Sequence, residues 1–231
     1  MKTPNILLPT LAALLAVAAC DTSKVRSANT AKAPVPVSSP ASTGGLVTRP
    51  TGPVTERANA VSWNPQGQTF EFQGKPLITA RQWVFSSAPN EFMVAGAAAG
   101  PAEGSGLAVT ETQADVLIRS AGGLNLDGGA YPLLVVRLTR VKQGADWDGS
   151  VHYTTIKHSE SEGYLAKAPK DANPAVNETV TIVYDMEKLR RGGDDWKTSK
   201  IDQIRLDLDD SPGGAFILQQ IAVAKRPAGY P

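Results

Sequence analysis

Residues 204–209 read Ile-Arg-Leu-Asp-Leu-Asp, and this strict alternation decides the fold class. A period of two is the side-chain period of an extended strand, so Ile204, Leu206 and Leu208 share one face and Arg205, Asp207 and Asp209 the other. The apolar face is expected against a core and the charged face toward water, as in an antiparallel sheet wetted on one side. Upstream, Leu-Leu-Val-Val at 133–136 is apolar on both faces, which predicts a strand held inside a two-layer packing.

Working outward from these two strands, the region from Val61 to Arg226 lacks helical periodicity. Short runs rich in β-branched and aromatic residues instead recur between Gly, Pro, Asn and Asp clusters. Strands are predicted over 69–72, 77–85, 91–95, 107–110, 114–119, 133–141, 149–157, 178–184, 201–208 and 215–224. About ten strands joined by short turns make an all-β fold, a two-layer antiparallel β-sandwich or jelly roll. Met186 to Arg191 can form a short helix or turn, with Asp185 as its cap and Gly192 as its stop. Ala95 to Gly106, rich in Ala and Gly, is expected to be a surface loop with no core residues.

The 231-residue chain carries 23 Lys and Arg against 22 Asp and Glu, and loss of Lys2 with a leader would leave 22 of each. Balanced charge supplies no field to draw nucleic acid or anionic lipid. Lys2 precedes an apolar run, Ile6 to Ala19, that ends in Val17, Ala18, Ala19 and Cys20, the sole cysteine. This resembles a bacterial lipoprotein signal, with residues 1–19 cleaved and Cys20 carrying the acyl chains, and two or more chains hold a protein stably on a membrane. Residues 20–60, rich in Pro, Ser and Thr and poor in large apolar side chains, predict a flexible tether, and 61–231 a single domain. Such a tether spans roughly 35 Å on average and reaches ~120 Å when stretched. The expected location is the bacterial cell envelope. Asp21 resembles the enterobacterial residue for retention at the inner membrane, other bacteria read that position differently, and an outer-membrane or surface placement is the expectation. With Cys20 acylated, no thiol remains for a disulfide or a thiolate metal site.

Candidate ligand residues gather at Asp146, Trp147, Asp148 and Gly149, a tryptophan in a polar turn. Such an indole either stacks on the apolar face of a sugar while acids bond its hydroxyls, or folds back as a lid on the core. Tyr164 and His152 are the remaining candidates for the same face. Trp63, Trp83 and Trp196 are expected in the core or at its edge. His152 and His158, with Glu160 and Glu162 nearby, match no metal-ligand spacing. Asp207, Asp209 and Asp210 suit a hard cation such as calcium, but Pro212 occupies the place where a helix-loop-helix calcium loop needs glycine. No cofactor is expected beyond an optional structural Ca²⁺.

Tyr184, Asp185, Met186, Trp196, the IDQIRLDL run from Ile201 to Leu208, the Gly213-Gly214 turn and the strand Phe216 to Val223 resemble the closing strands of galactose-binding-like jelly rolls. That family includes many carbohydrate-binding modules. Leu124, Asn125, Leu126, Asp127, Gly128, Ala130 and Tyr131, leading into Leu133 to Arg137, are similar to its central strand entry. Gln219 stands where the family often has an acid, and Leu208 where a Pro usually follows the Asp. The resemblance implies a non-catalytic module that binds glycan. The alternatives are a lipoprotein that docks an envelope or secretion protein, and an enzyme acting on polysaccharide through His152 and a carboxylate.

Overall fold

The computed structural model describes residues 50, 52–86, 91–102, 106–189 and 191–231, so the leader, Cys20 and most of the predicted tether lie outside the described residues. Every regular element described is a strand. In chain order these are β1 (Thr55–Glu56), β2 (Val61–Asn64), β3 (Thr69–Phe72), β4 (Lys75–Pro76), β5 (Thr79–Val84), β6 (Phe92–Ala95), β7 (Ala97–Pro101) and β8 (Leu107–Glu111). Then come β9 (Leu117–Ser120), β10 (Leu126–Asp127), β11 (Leu133–Lys142), β12 (Trp147–Thr155), β13 (Leu165–Lys167), β14 (Glu178–Asp185), β15 (Lys200–Asp209) and β16 (Ala215–Ala224).

Two large sheets make the sandwich. The first runs β1-β14-β11-β16-β8-β7, with β5 sharing the edge of β16 beside β8, and the second runs β13-β12-β15-β9-β6, with β10 also on β15. All pairings are antiparallel except that of β1 with β14. Between the sheets lie Leu134, Val136 and Leu138 of β11 and Phe216, Leu218, Ile221 and Val223 of β16. Facing them are Val151 and Tyr153 of β12 and Ile204, Leu206 and Leu208 of β15. Each such aliphatic side chain contributes about 1.5–3 kcal/mol through burial. Trp196 is fully enclosed in this core and donates its indole N–H to the Tyr131 carbonyl at 3.3 Å.

A third sheet, the meander β2-β3-β4, packs on the outside of the first. Its Val61, Phe70 and Phe72, with Leu77, cover Leu133, Val135, Ala222 and Ala224. This extra layer is why the 133–136 run is apolar on both faces: locally three layers are stacked, where the sequence predicts two.

Three expectations are corrected. The charged face of β15 does not look at water: Arg205, Asp207 and Asp209 are only 8, 6 and 0 % exposed. Glu160, from the connection between β12 and β13, and Asp115 lie over Arg205 and neutralise it. The Ala95–Gly106 stretch is no simple loop, because β7 pairs with β8 along Ala97–Pro101 and forms an edge of the first sheet. The tether boundary near Ala60 falls after the first strand: Thr55 and Glu56 pair with Glu178 and Thr179, and the Arg57 guanidinium grips the Glu178 carboxylate at 2.5 and 2.8 Å. Of the helix or turn expected after β14, the structure has the turn, in which Lys188 donates its amide N–H to the Asp185 carbonyl at 3.1 Å.

Candidate functional site

The five predicted ligand residues do not gather on one face. Trp147 is half-buried at one end of the sandwich, where the Arg140 guanidinium lies 5.1 Å from its ring centroid and Phe216 packs at 6.0 Å. Its indole lies over Gly149, whose φ of +59° and lack of a Cβ leave the ring its space. Trp147 is therefore a lid on the core. Asp146 beside it accepts the Ser211 hydroxyl at 2.7 Å. Asp148 accepts hydrogen bonds from Lys167 and Ser150, and Ser150 also contacts buried His152 at 3.3 Å from Nε2. Burial, then the nearby Arg205 cation, hold the His152 imidazole below its ordinary pKa. Tyr164 stacks on His158 at 3.4 Å and meets Tyr153 edge-on. Six strand positions separate Tyr153 from Trp147, roughly 20 Å, so a shared platform of Trp147 and Tyr164 is not built. The histidine that pairs with a carboxylate is His158, at 2.8 Å from Asp195.

The acidic run ahead of Pro212 divides. Asp207 and Asp210 meet Asp148, with one carboxylate oxygen from each lying within 4.8 Å of the others. Lys167 and Arg205 already pair with Asp148 and Asp207 there. Burial, with repulsion from Asp148, pushes the Asp207 carboxyl up to about 6, although Arg205 opposes the shift. Asp209 instead turns to Arg140, which forks onto it at 3.0 and 3.2 Å between the sheets. Glu111 lies against this pair, accepts the Asp209 amide at 3.3 Å and leaves Oε2 buried without a partner. Desolvation, then the Asp209 charge, push the Glu111 carboxyl up to about 8.

An accessible cleft of about 320 Å³ lies elsewhere, on the outer face of the first sheet where the meander stops covering it. Trp63 of β2 forms one wall, set edge-on to Phe70 at 5.1 Å. The floor comes from a β-bulge. Arg137 pairs with Gln220 while Leu138 pairs with Leu218, so Gln219 is an extra residue in β16. A bulge sets two residues against one and re-aims their side chains. Here both glutamines meet Arg137, whose Nη1 donates to Gln219 Oε1 at 2.6 Å and to Gln220 Oε1 at 3.1 Å. The other side of the guanidinium, Nε and Nη2, grips Glu56 of β1 at 2.9 and 3.0 Å. An aromatic wall beside convergent amide, guanidinium and carboxylate groups is the composition of a polar ligand site.

Sequence reasoning placed Trp63 at the core edge and missed Glu56, Arg137 and Gln220. The available signal was the Gln219-Gln220 pair, two polar residues interrupting the apolar strand Ala215–Ala224. Their direction depends on the bulge, which a one-strand pattern does not reveal.

No family model and no curated protein matches the chain. Several solved structures are similar to it, among them these three. One is a family 29 carbohydrate-binding module complexed with cellulohexaose, 13 % identical with a TM-score of 0.40, covering 64 % of this chain and 92 % of that one. Another is CBM6-3 from Clostridium stercorarium in complex with cellobiose, 10 % identical with a TM-score of 0.39, covering 63 % and 94 %. The third is the C-terminal extracellular domain of Mycobacterium tuberculosis EmbC, 13 % identical with a TM-score of 0.34, covering 72 % and 64 %. The sandwich class rests on the strand pairing itself.

Proposed function

We propose that this chain is a non-catalytic glycan-binding lipoprotein of the bacterial envelope, anchored through acyl chains on Cys20 and carrying its sandwich on a flexible tether. The observation that supports glycan as the ligand is the Trp63 cleft. A sugar ring offers an apolar face to an indole and a rim of hydroxyls that both donate and accept. Trp63 matches the first, and the Gln219, Gln220 and Glu56 groups around Arg137 match the second.

The test uses the chain from Asp21 to Pro231 in native gels containing a panel of bacterial and plant polysaccharides. Retardation by at least one polymer is expected, lost in Trp63→Ala and kept in Trp147→Ala. Loss only in Trp147→Ala would return the site to the sandwich end. Absence of retardation by every polymer would overturn the glycan reading in favour of protein docking. For the anchor, labelled palmitate should enter the wild-type precursor in cells and not the Cys20→Ser variant; equal labelling of both would overturn lipidation at Cys20.

A further inference from the structure

We propose that Glu56 is the specificity-determining residue of the Trp63 cleft: by occupying Arg137 it reserves the site for uncharged glycans and shuts out acidic ones. The inference rests on the glycan reading of that cleft.

An arginine can only donate, through five N–H groups in a planar fork. In Arg137 the Nε and Nη2 side of the fork is taken by the two oxygens of Glu56, at 2.9 and 3.0 Å, the bidentate geometry in which arginine otherwise captures a carboxylate ligand. The Nη1 side is taken by the oxygens of Gln219 and Gln220. Since the guanidinium cannot accept, both amide oxygens must face it, and their NH₂ groups remain as donors for hydroxyl oxygens. Glu56 keeps lone pairs that accept from hydroxyl hydrogens.

Charge points the same way. Among the lining residues Arg137 and Glu56 alone are charged, and they cancel. They are not equally placed: the Arg137 side chain is 13 % exposed and that of Glu56 47 %. An approaching carboxylate or sulfate therefore meets the anion before the cation, and among the described residues no cation lining the cleft remains to receive it.

The source of Glu56 also matters. It belongs to the two-residue strand β1, at the end of the predicted tether, and reaches across β14 to β11. Two strand spacings, about 10 Å of backbone separation, are bridged by the two long side chains. Specificity is thus set by a residue on the short edge strand of the first sheet, and removing that one carboxylate would expose a ready-made anion fork.

The experiment measures retardation by hydroxyethylcellulose and galactomannan, both neutral, and by polygalacturonate and alginate, both acidic. Wild type, Glu56→Gln, Glu56→Asp and Glu56→Gln/Arg137→Gln are compared, each with a melting curve. Wild type should bind a neutral polymer and neither acidic one. Glu56→Gln should gain at least tenfold for an acidic polymer, with the gain abolished by 0.5 M salt and absent from the double variant. Glu56→Asp keeps the anion at the cleft on a shorter arm, so its gain for acidic polymers should be smaller than that of Glu56→Gln; an equal gain would trace the effect to a loosened β1 and overturn the inference. Wild-type binding to acidic polymers as strong as to neutral ones, or an unchanged preference in a folded Glu56→Gln, would overturn the inference alone. If no polymer retards wild type or any variant, the glycan reading falls and this inference with it.

Discussion

Arg137 and Arg140 lie on the same strand, three residues apart, and each stands by an indole and a carboxylate, yet they make two different kinds of site. Arg140 points between the sheets, with both it and Asp209 fully buried and the rings of Trp147 and Phe216 at 5.1 and 4.5 Å from the guanidinium. Arg137 points outward, to the place where the meander ends, and its partner Glu56 is half in water. The period of two along β11 makes the difference, because an odd offset in a strand exchanges core for surface. A tryptophan beside charged groups therefore carries no meaning until the face it shares is known: Trp147 seals the core, whereas Trp63 borders a cleft.

The largest effect should come from breaking this contrast at its buried member. Arg140→Leu leaves the enclosed Asp209 carboxyl without its partner and beside Glu111, and loss of one partner of a buried pair costs about 3–5 kcal/mol. Arg137→Leu leaves Glu56 free to hydrate, and exposed pairs contribute about 0–1 kcal/mol. Urea denaturation should separate the two by several-fold in ΔΔG, with the order reversed for glycan retardation, which only Arg137→Leu should impair. Replacing both Arg140 and Asp209 by leucine should recover much of the loss, since two apolar groups leave no stranded charge. Similar ΔΔG values for the two single variants would remove the distinction between structural and ligand-facing arginine.

How far this was legible in the sequence follows from the same geometry. Ile204, Leu206 and Leu208 lie in the core as their alternation says, and β3 and β16 match their predicted spans residue for residue. Trp196 is interior, as expected. These features follow from local period. What failed needed a partner from far along the chain: Arg205 is neutralised by Glu160 and Asp115, and Leu133 and Val135 are covered by a meander about 60 residues upstream in the sequence, where only the packing of distant segments decides burial. The cleft was hidden for this reason too. Its groups come from positions 56, 63, 137, 219 and 220, and one inserted residue in β16 turns two of them the right way.

A smaller effect sharpens the comparison from the side of pH. The Arg140 site holds one carboxylate more than its cation balances, since Asp209 and Glu111 both face Arg140, with Asp207 the next charge in range. Burial, reinforced by Asp209, sets Glu111 to titrate near about 8 in the folded protein, against 4.5 as its unperturbed value. Between those values the folded state binds more protons than the unfolded one, so stability must fall as pH rises. The contribution is intact below the unfolded value and is lost as pH passes the folded one. Asp207, raised to about 6, acts in the same direction but has finished titrating in the upper part of that window. Melting temperatures should therefore decline from pH 6.5 to 8.5 in wild type. Glu111→Gln preserves an acceptor for the Asp209 amide and removes the charge, so its profile should be flatter and its melting temperature at pH 8.5 higher than wild type. A decline of equal slope in the variant would show that Glu111 does not carry the extra proton of this cluster, and the pH dependence would then have to come from outside the Arg140 site.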